Sequence, residues 1–205
     1  MALTFDNKTF AAIPGGIAID KSKFLNFFKI KGFWKFYYSI ILNSKLEKLY
    51  SKYPKDNVVQ QWISLSEHFQ YGCANPSIVI SKENGVYATY TDLTNDGGAS
   101  TPVIKIVQLK HAALKNIELN DNDRTVTVAT YFGKGSDINA RAWIDFDPLL
   151  PELFSTNKRS RQILQEKIKE SAWKCLSAGL SQIKNIDQPG LYYLELSDED
   201  TKDAY

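Results

Sequence analysis

The residues richest in chemistry lie between Ser64 and Pro76, where the chain reads Ser-Leu-Ser-Glu-His-Phe-Gln-Tyr-Gly-Cys-Ala-Asn-Pro. Glu67, His68 and Cys73 fall there within seven residues. Such a cluster could ligate a metal or form a thiol–imidazole pair. Zinc takes about four ligands, usually in paired spacings. His68 and Cys73 supply one pair, and His111 and Cys175 stand singly elsewhere, so no metal site is expected. A nucleophilic cysteine needs a base in contact and a depressed thiol pKa. Cys73 follows an expected helix, at the end where the dipole pushes a thiol upward instead. The segment reads better as a hand-over from helix to sheet. Gly72 would end the helix in the left-handed conformation. Asn75-Pro76 would hold the chain extended into a strand, with His68 and Phe69 covering the rim of the sheet.

Asp145 and Asp147 flank Phe146, and on a strand both carboxylates share a face. Paired carboxylates do acid–base work when their pKa values are driven apart, so a hydrolase-like enzyme would use Asp145 and Asp147 with His68 or His111. The plainer reading is a strand end whose last Asp caps a turn before Pro148. Asp92, Asn95, Asp96 and Gly97 echo a calcium loop but miss its alternating ligands and distal Glu. Gly133-Lys134-Gly135-Ser136 lacks the full phosphate-loop order and reads as a hairpin turn. No nucleophile elbow or Ser-His-Asp set is visible. No catalytic residue and no cofactor is therefore assigned, and His68, Cys73, Asp145 and Asp147 stand as a candidate polar site.

The elements that must position these groups follow from pattern. The chain has 205 residues, 43% hydrophobic, 23% charged and 13% aromatic, with net charge +2. That is enough for one domain with an appendage. Two cysteines so far apart make no disulfide framework and fit reduced thiols in the cytoplasm. The N-terminus lacks the basic start and apolar run of a secretory signal, and no window is long enough to span a bilayer, so a soluble protein is expected.

Residues 1–20 form an N-terminal extension and 21–72 a helical arm. In that arm Lys21 to Tyr53 keeps the helical period in two pieces weakened at Gly32, and a second helix restarts at Lys55-Asp56-Asn57, runs through Phe69 and stops at Gly72. Strands follow at Ser77–Lys82, Val86–Leu93, Pro102–Leu109 and Thr125–Phe132, with a short one at Ala142–Phe146. Asn84-Gly85 supplies the hairpin signal between the first two. A long amphipathic helix is expected from about Asn157 to Lys184, then a last strand at Leu191–Leu196. The expected fold is α+β: an N-terminal helical pair, a small antiparallel β-barrel or curled sheet, and a C-terminal helix across it. Barrel and helix together span 73–196, and an acidic tail fills 197–205.

From about Glu67 to Leu150 the order of short motifs resembles a bacterial domain family of unknown function. The motifs are His-Phe ending a helix, Gly72-Cys73-Ala74-Asn75-Pro76, the strands Val86–Leu93, Pro102–Leu109 and Thr125–Gly133, and Trp143-Ile144-Asp145-Phe146-Asp147-Pro148. The resemblance implies the turn, sheet and following helix, and no activity. The resemblance implies membrane-spanning segments in some relatives where this chain has Phe24 to Tyr53. Here Lys29, Lys31, Lys35 and Lys45 interrupt the segment.

Charge placement is the most distinctive feature. Between Asp20 and Asp56 nine lysines face three acids, leaving +6. Rings crowd Phe33 to Tyr38 nearly all round, more than one helical face can hide. The leading expectation is a non-catalytic protein-interaction module, of which an inhibitor or immunity-type partner is one form. Trp34, Phe36, Tyr37 and Tyr38 would be its contacts, to a protein partner or a second copy. A peripheral adaptor on an anionic membrane surface is the alternative. Nucleic acid is disfavoured.

Overall fold

The computed structural model describes residues 13–94, 100–109, 112–115, 117–134 and 142–196. The helical arm holds α1 (Lys21–Phe27), α2 (Gly32–Ile41), α3 (Leu46–Lys52) and α4 (Asn57–Tyr71). The piece expected as Lys21–Tyr53 is thus three helices. Lys29 (φ 55°) and Gly32 (φ 58°) turn the chain between the first two. Asp56 starts α4: its Oδ1 accepts from the Val58 and Val59 amides, both at 3.0 Å, filling two of the helix's unpaired donors. Phe24, Leu25, Tyr38, Leu42, Leu49, Val59, Trp62 and Ile63 meet in the arm's own apolar cluster.

The strands are β1 (Cys73–Ser81), β2 (Val86–Asp92), β3 (Pro102–Gln108), β4 (Arg124–Lys134), β5 (Trp143–Leu149) and β6 (Gly190–Tyr193). A short α5 (Ala112–Lys115) lies before β4, and α6 (Lys158–Lys167) and α7 (Glu170–Gln182) lie before β6. The strands form one antiparallel sheet in the order β5-β4-β1-β2-β3-β6. The α+β fold is as expected, with the sheet curled into a half-barrel. Its curl shows in contacts between strands that are not neighbours. The Tyr87 hydroxyl of β2 donates to the Pro148 carbonyl of β5 at 2.7 Å, and Lys105 of β3 reaches Asp145 and the Phe146 carbonyl of β5.

One face of the sheet carries Ala74, Ala88, Ile104, Ile106, Val126 and Val128 into the main core, which also takes Phe69, Leu164, Trp173 and Leu176 from the helices. The expected single C-terminal helix is broken at Ile168 and Lys169, both extended. The break has a packing reason. In one straight helix Trp173, nine residues on, would point about 180° away from Leu164 at 3.6 residues per turn. Broken, the chain buries both.

Two glycines make the junction between arm and sheet. Gly72 is extended (φ −62°, ψ 163°), not left-handed as expected. It is required by space: a Cβ there would lie 2.5 Å from the His68 carbonyl oxygen and 2.8 Å from that of Ala129. The following Cys73–Pro76 segment is not a turn but the start of β1, paired with Val126 to Ala129. Against this junction runs the extension, where the amides of Gly15, Gly16 and Ile17 donate to the carbonyls of Gly72, Gln70 and Phe69. These bonds satisfy acceptors that a helix C-terminus leaves open. A Cβ on Gly15 would meet the Phe69 oxygen at 2.4 Å.

Candidate functional site

The polar candidates from the sequence are brought near one another along β4, but His68 and Asp145 are committed to other partners. His68 is buried on α4, and its Nε2 donates to the Val128 carbonyl at 2.7 Å. Its Nδ1 then accepts from the Thr130 hydroxyl at 3.3 Å. Burial holds the imidazole below its ordinary pKa, opposed by the Val128 bond and the Asp147 charge. Cys73 pairs with Ala129 and Asp147 with Thr130. Alternation along β4 therefore sets Cys73 on the opposite face from Asp147. Asp145 and Asp147 do share a face, as expected, but the Asp145 carboxylate takes the Lys105 ammonium at 2.9 and 3.0 Å. His111 lies outside the described residues. Among those residues no group of His, Cys, Asp and Glu could hold a metal ion.

Of the calcium-loop motif only Asp92, at the end of β2, is described; Asn95, Asp96 and Gly97 lie outside the described residues. The Asp92 carboxylate accepts from the Thr94 amide, the Thr101 amide and the Ser100 hydroxyl, at 2.8, 2.9 and 2.7 Å. Gly133 (φ 71°) and Lys134 end β4, and Gly135-Ser136 lies outside the described residues.

Sequence reasoning missed the hydroxyl network inside the curl. Ser77 Oγ lies 2.8 Å from Thr89 Oγ1 and 2.9 Å from Thr127 Oγ1, which is 3.3 Å from Thr89 Oγ1. Next to this triangle Thr91 donates to Asn75 Oδ1 at 2.9 Å. All five side chains are fully buried. Registers Ser77↔Thr89 and Asn75↔Thr127 align them on the inner face. The signal was present as Ser, Thr or Asn at every second position of Thr125–Thr127, Thr89–Thr91 and Asn75–Ser77. Lys105 lies over the Phe132 and Phe146 rings at 5.9 and 5.7 Å and bridges the open side to β5. Glu152 was also missed: buried, its pKa raised by that burial, it accepts from the Thr125 hydroxyl and pairs with Arg161.

The helical arm presents the opposite surface. On α2, Phe33, Trp34, Phe36 and Ile40 are 70, 57, 65 and 54% exposed. Phe33, Phe36 and Ile40, spaced i, i+3 and i+7, share one helical face. Tyr38 and Leu42 project from the other and are buried. Tyr38 is thus a correction to the expected contact set. Its ring is 8% exposed and its hydroxyl donates to the Asp56 carboxylate at 3.1 Å. Burial, then Asp56, pushes that hydroxyl up to about 12. Tyr37 is half-buried, whereas Phe33 and Ile40, not among the expected contacts, are exposed.

Beside the outward face lies a groove of about 440 Å³ between α1 and α2, with Leu25 and Phe36 among its apolar walls and Lys21 and Lys35 at its rim. From Lys21 to Leu46 the chain holds six lysines and no Asp or Glu. No helix among the described residues is long and apolar enough to cross a membrane.

No family model matches this chain, and no curated protein matches it. Among solved structures it is similar to one described as a "putative membrane protein from Corynebacterium diphtheriae". The two share 17% identity at a TM-score of 0.47, covering 59% of this chain and 99% of that one.

Proposed function

We propose that the protein is a non-catalytic binding module whose contact face is the outward side of α2. The observation that carries this reading is the exposure of Phe33, Trp34, Phe36 and Ile40 on one ten-residue helix. At ~200 Å² per aromatic side chain they leave about 500 Å² of apolar surface in water, the size of patch that marks an interaction site on a monomer. Covering it would contribute on the order of 10 kcal/mol gross, enough for useful affinity after association costs. The inner side of α2 is already used by Tyr38 and Leu42, so no rotation of the helix hides the outer rings without exposing others. The commitments of Asp145 to Lys105 and of both His68 nitrogens to β4 support a module without catalytic chemistry. Buried thiols at Cys73 and Cys175 support a reducing, cytoplasmic setting.

Fractionation of extracts from the native source tests the reading. Wild-type protein is expected in a larger assembly or a sedimenting fraction. A Phe33→Ser, Phe36→Ser, Ile40→Ser variant with unchanged melting temperature is expected to elute as the isolated chain. Identical elution of the two as isolated chains would contradict it.

A further inference from the structure

We infer that the surface covered by α2 is an anionic lipid bilayer, on which the arm lies with Phe33, Phe36 and Ile40 directed into the headgroup–acyl boundary. This rests on the reading of that side as the contact face and names its occupant. Three observations converge on it. The first is chemical. Phe33, Phe36 and Ile40 carry no hydrogen-bonding atom, and Trp34 beside them has one N–H. Protein interfaces of useful size carry about one hydrogen bond per 100–200 Å² and so need directional groups. A fluid acyl boundary needs none, and indole rings settle at its polar edge.

The second is charge. Lys29, Lys31 and Lys35 are exposed at and beside the start of α2, and Lys21 and Lys35 rim the adjoining groove. With no acid between Lys21 and Leu46, a second copy seated on the same face would bring two purely cationic surfaces together without partners. An anionic headgroup layer complements them, and each lysine near such a surface strengthens binding about fivefold. The third is asymmetry along the chain. Residues 20–56 carry +6 although the whole chain carries +2, so the rest is net negative and would be repelled by the same bilayer. The arm faces the lipid and the sheet faces away from it. This is the arrangement of an interfacial helix whose affinity combines buried apolar area with attraction to acidic lipid.

The experiment is co-sedimentation of the purified chain with phosphatidylcholine vesicles, with and without phosphatidylserine, with Trp34 emission followed in parallel. Binding is expected to phosphatidylserine vesicles, weakening as salt is raised, with emission shifted to the blue. Lys29→Gln, Lys31→Gln, Lys35→Gln should lower affinity on the order of a hundredfold. Phe33→Ser, Phe36→Ser should lower it at least ~10-fold, and Phe36→Leu should largely retain it. Equal binding to both vesicle types, or binding to neither, overturns the inference. A wild-type dimer in sedimentation equilibrium, lost in Phe33→Ser, Phe36→Ser and without vesicle binding, assigns the face to a second copy. It overturns the lipid occupant while keeping the contact face. Absence of vesicle binding together with isolated-chain elution in extracts overturns both.

Discussion

The inside of the curled sheet and the outside of α2 invert the usual distribution of side chains. Ser77, Thr89, Thr91, Thr127 and Asn75 are fully buried, while Phe33, Trp34, Phe36 and Ile40 stand in water. The polar interior is stable because its members satisfy one another at 2.8 to 3.3 Å, and a buried hydroxyl with a partner carries little penalty. The apolar exterior has no equivalent compensation among the described residues. The two regions teach the same rule from opposite sides: a residue out of its usual place is held there by what touches it, and where no described residue does, an outside partner is the proposal.

The largest expected effect comes from one substitution made in both regions. Phe146→Ala, in the buried ring cluster with Leu93 and Val103, should destabilise the chain by about 3–5 kcal/mol in urea melts. Phe36→Ala should stay within about 0.5 kcal/mol. A cost for Phe36→Ala near that of Phe146→Ala would mean the outer ring packs within its own chain, and the contrast would collapse. The reverse exchange gives a smaller effect. Thr127→Val removes a member of the hydroxyl triangle and should cost about 1–3 kcal/mol, whereas Ile40→Thr, adding a hydroxyl on α2, should be neutral within about 0.5 kcal/mol.

Within the arm, Asp56→Ala separates the inner face of α2 from the outer. It removes the α4 cap and the acceptor for Tyr38 and should cost about 2 kcal/mol. Vesicle binding through the outer rings should persist below the melting temperature.

The smallest effect is a pH dependence from His68. Its folded pKa lies below the ordinary value near 6.5 because it is buried. Above that value both folded and unfolded chains hold it neutral. As pH falls through about 6.5 the unfolded chain takes a proton that the folded chain does not. Stability therefore declines, until the folded pKa is passed and the decline stops. Urea midpoints of wild type and His68→Gln should converge as pH falls through this window. A gap that widens would contradict the neutral, Nε2-protonated imidazole.

Much of this fold was legible in the chain. Asn84-Gly85 and the β-rich runs placed the strands, and the polar stretch around His68 was a hand-over as its Gly and Pro residues suggested. What Gly72 does was not legible, because its constraint is the space left between the His68 carbonyl and the Ala129 carbonyl 57 residues away, and not its own φ. Nor was the break at Ile168, since a helical period continues through it and only packing of both Leu164 and Trp173 demands it. The hydroxyl-lined interior was hidden because alternating Ser and Thr read equally well as a solvated face. At the candidate site, the surplus of rings on α2 was visible as a ring count that one face could not hide. The loss of Tyr38 from that surplus was not, because it depends on Asp56, 18 residues on.

The central claim is that the outward face of α2 is open in the isolated chain and covered where the protein works. Because Cys73 and Cys175 are buried, a Phe36→Cys variant offers a single exposed thiol for maleimide labelling. Labelling should be fast in the purified protein and at least ~10-fold slower in intact cells of the native source, relative to an exposed-cysteine control at Lys174. Equal relative rates in both settings would contradict the account.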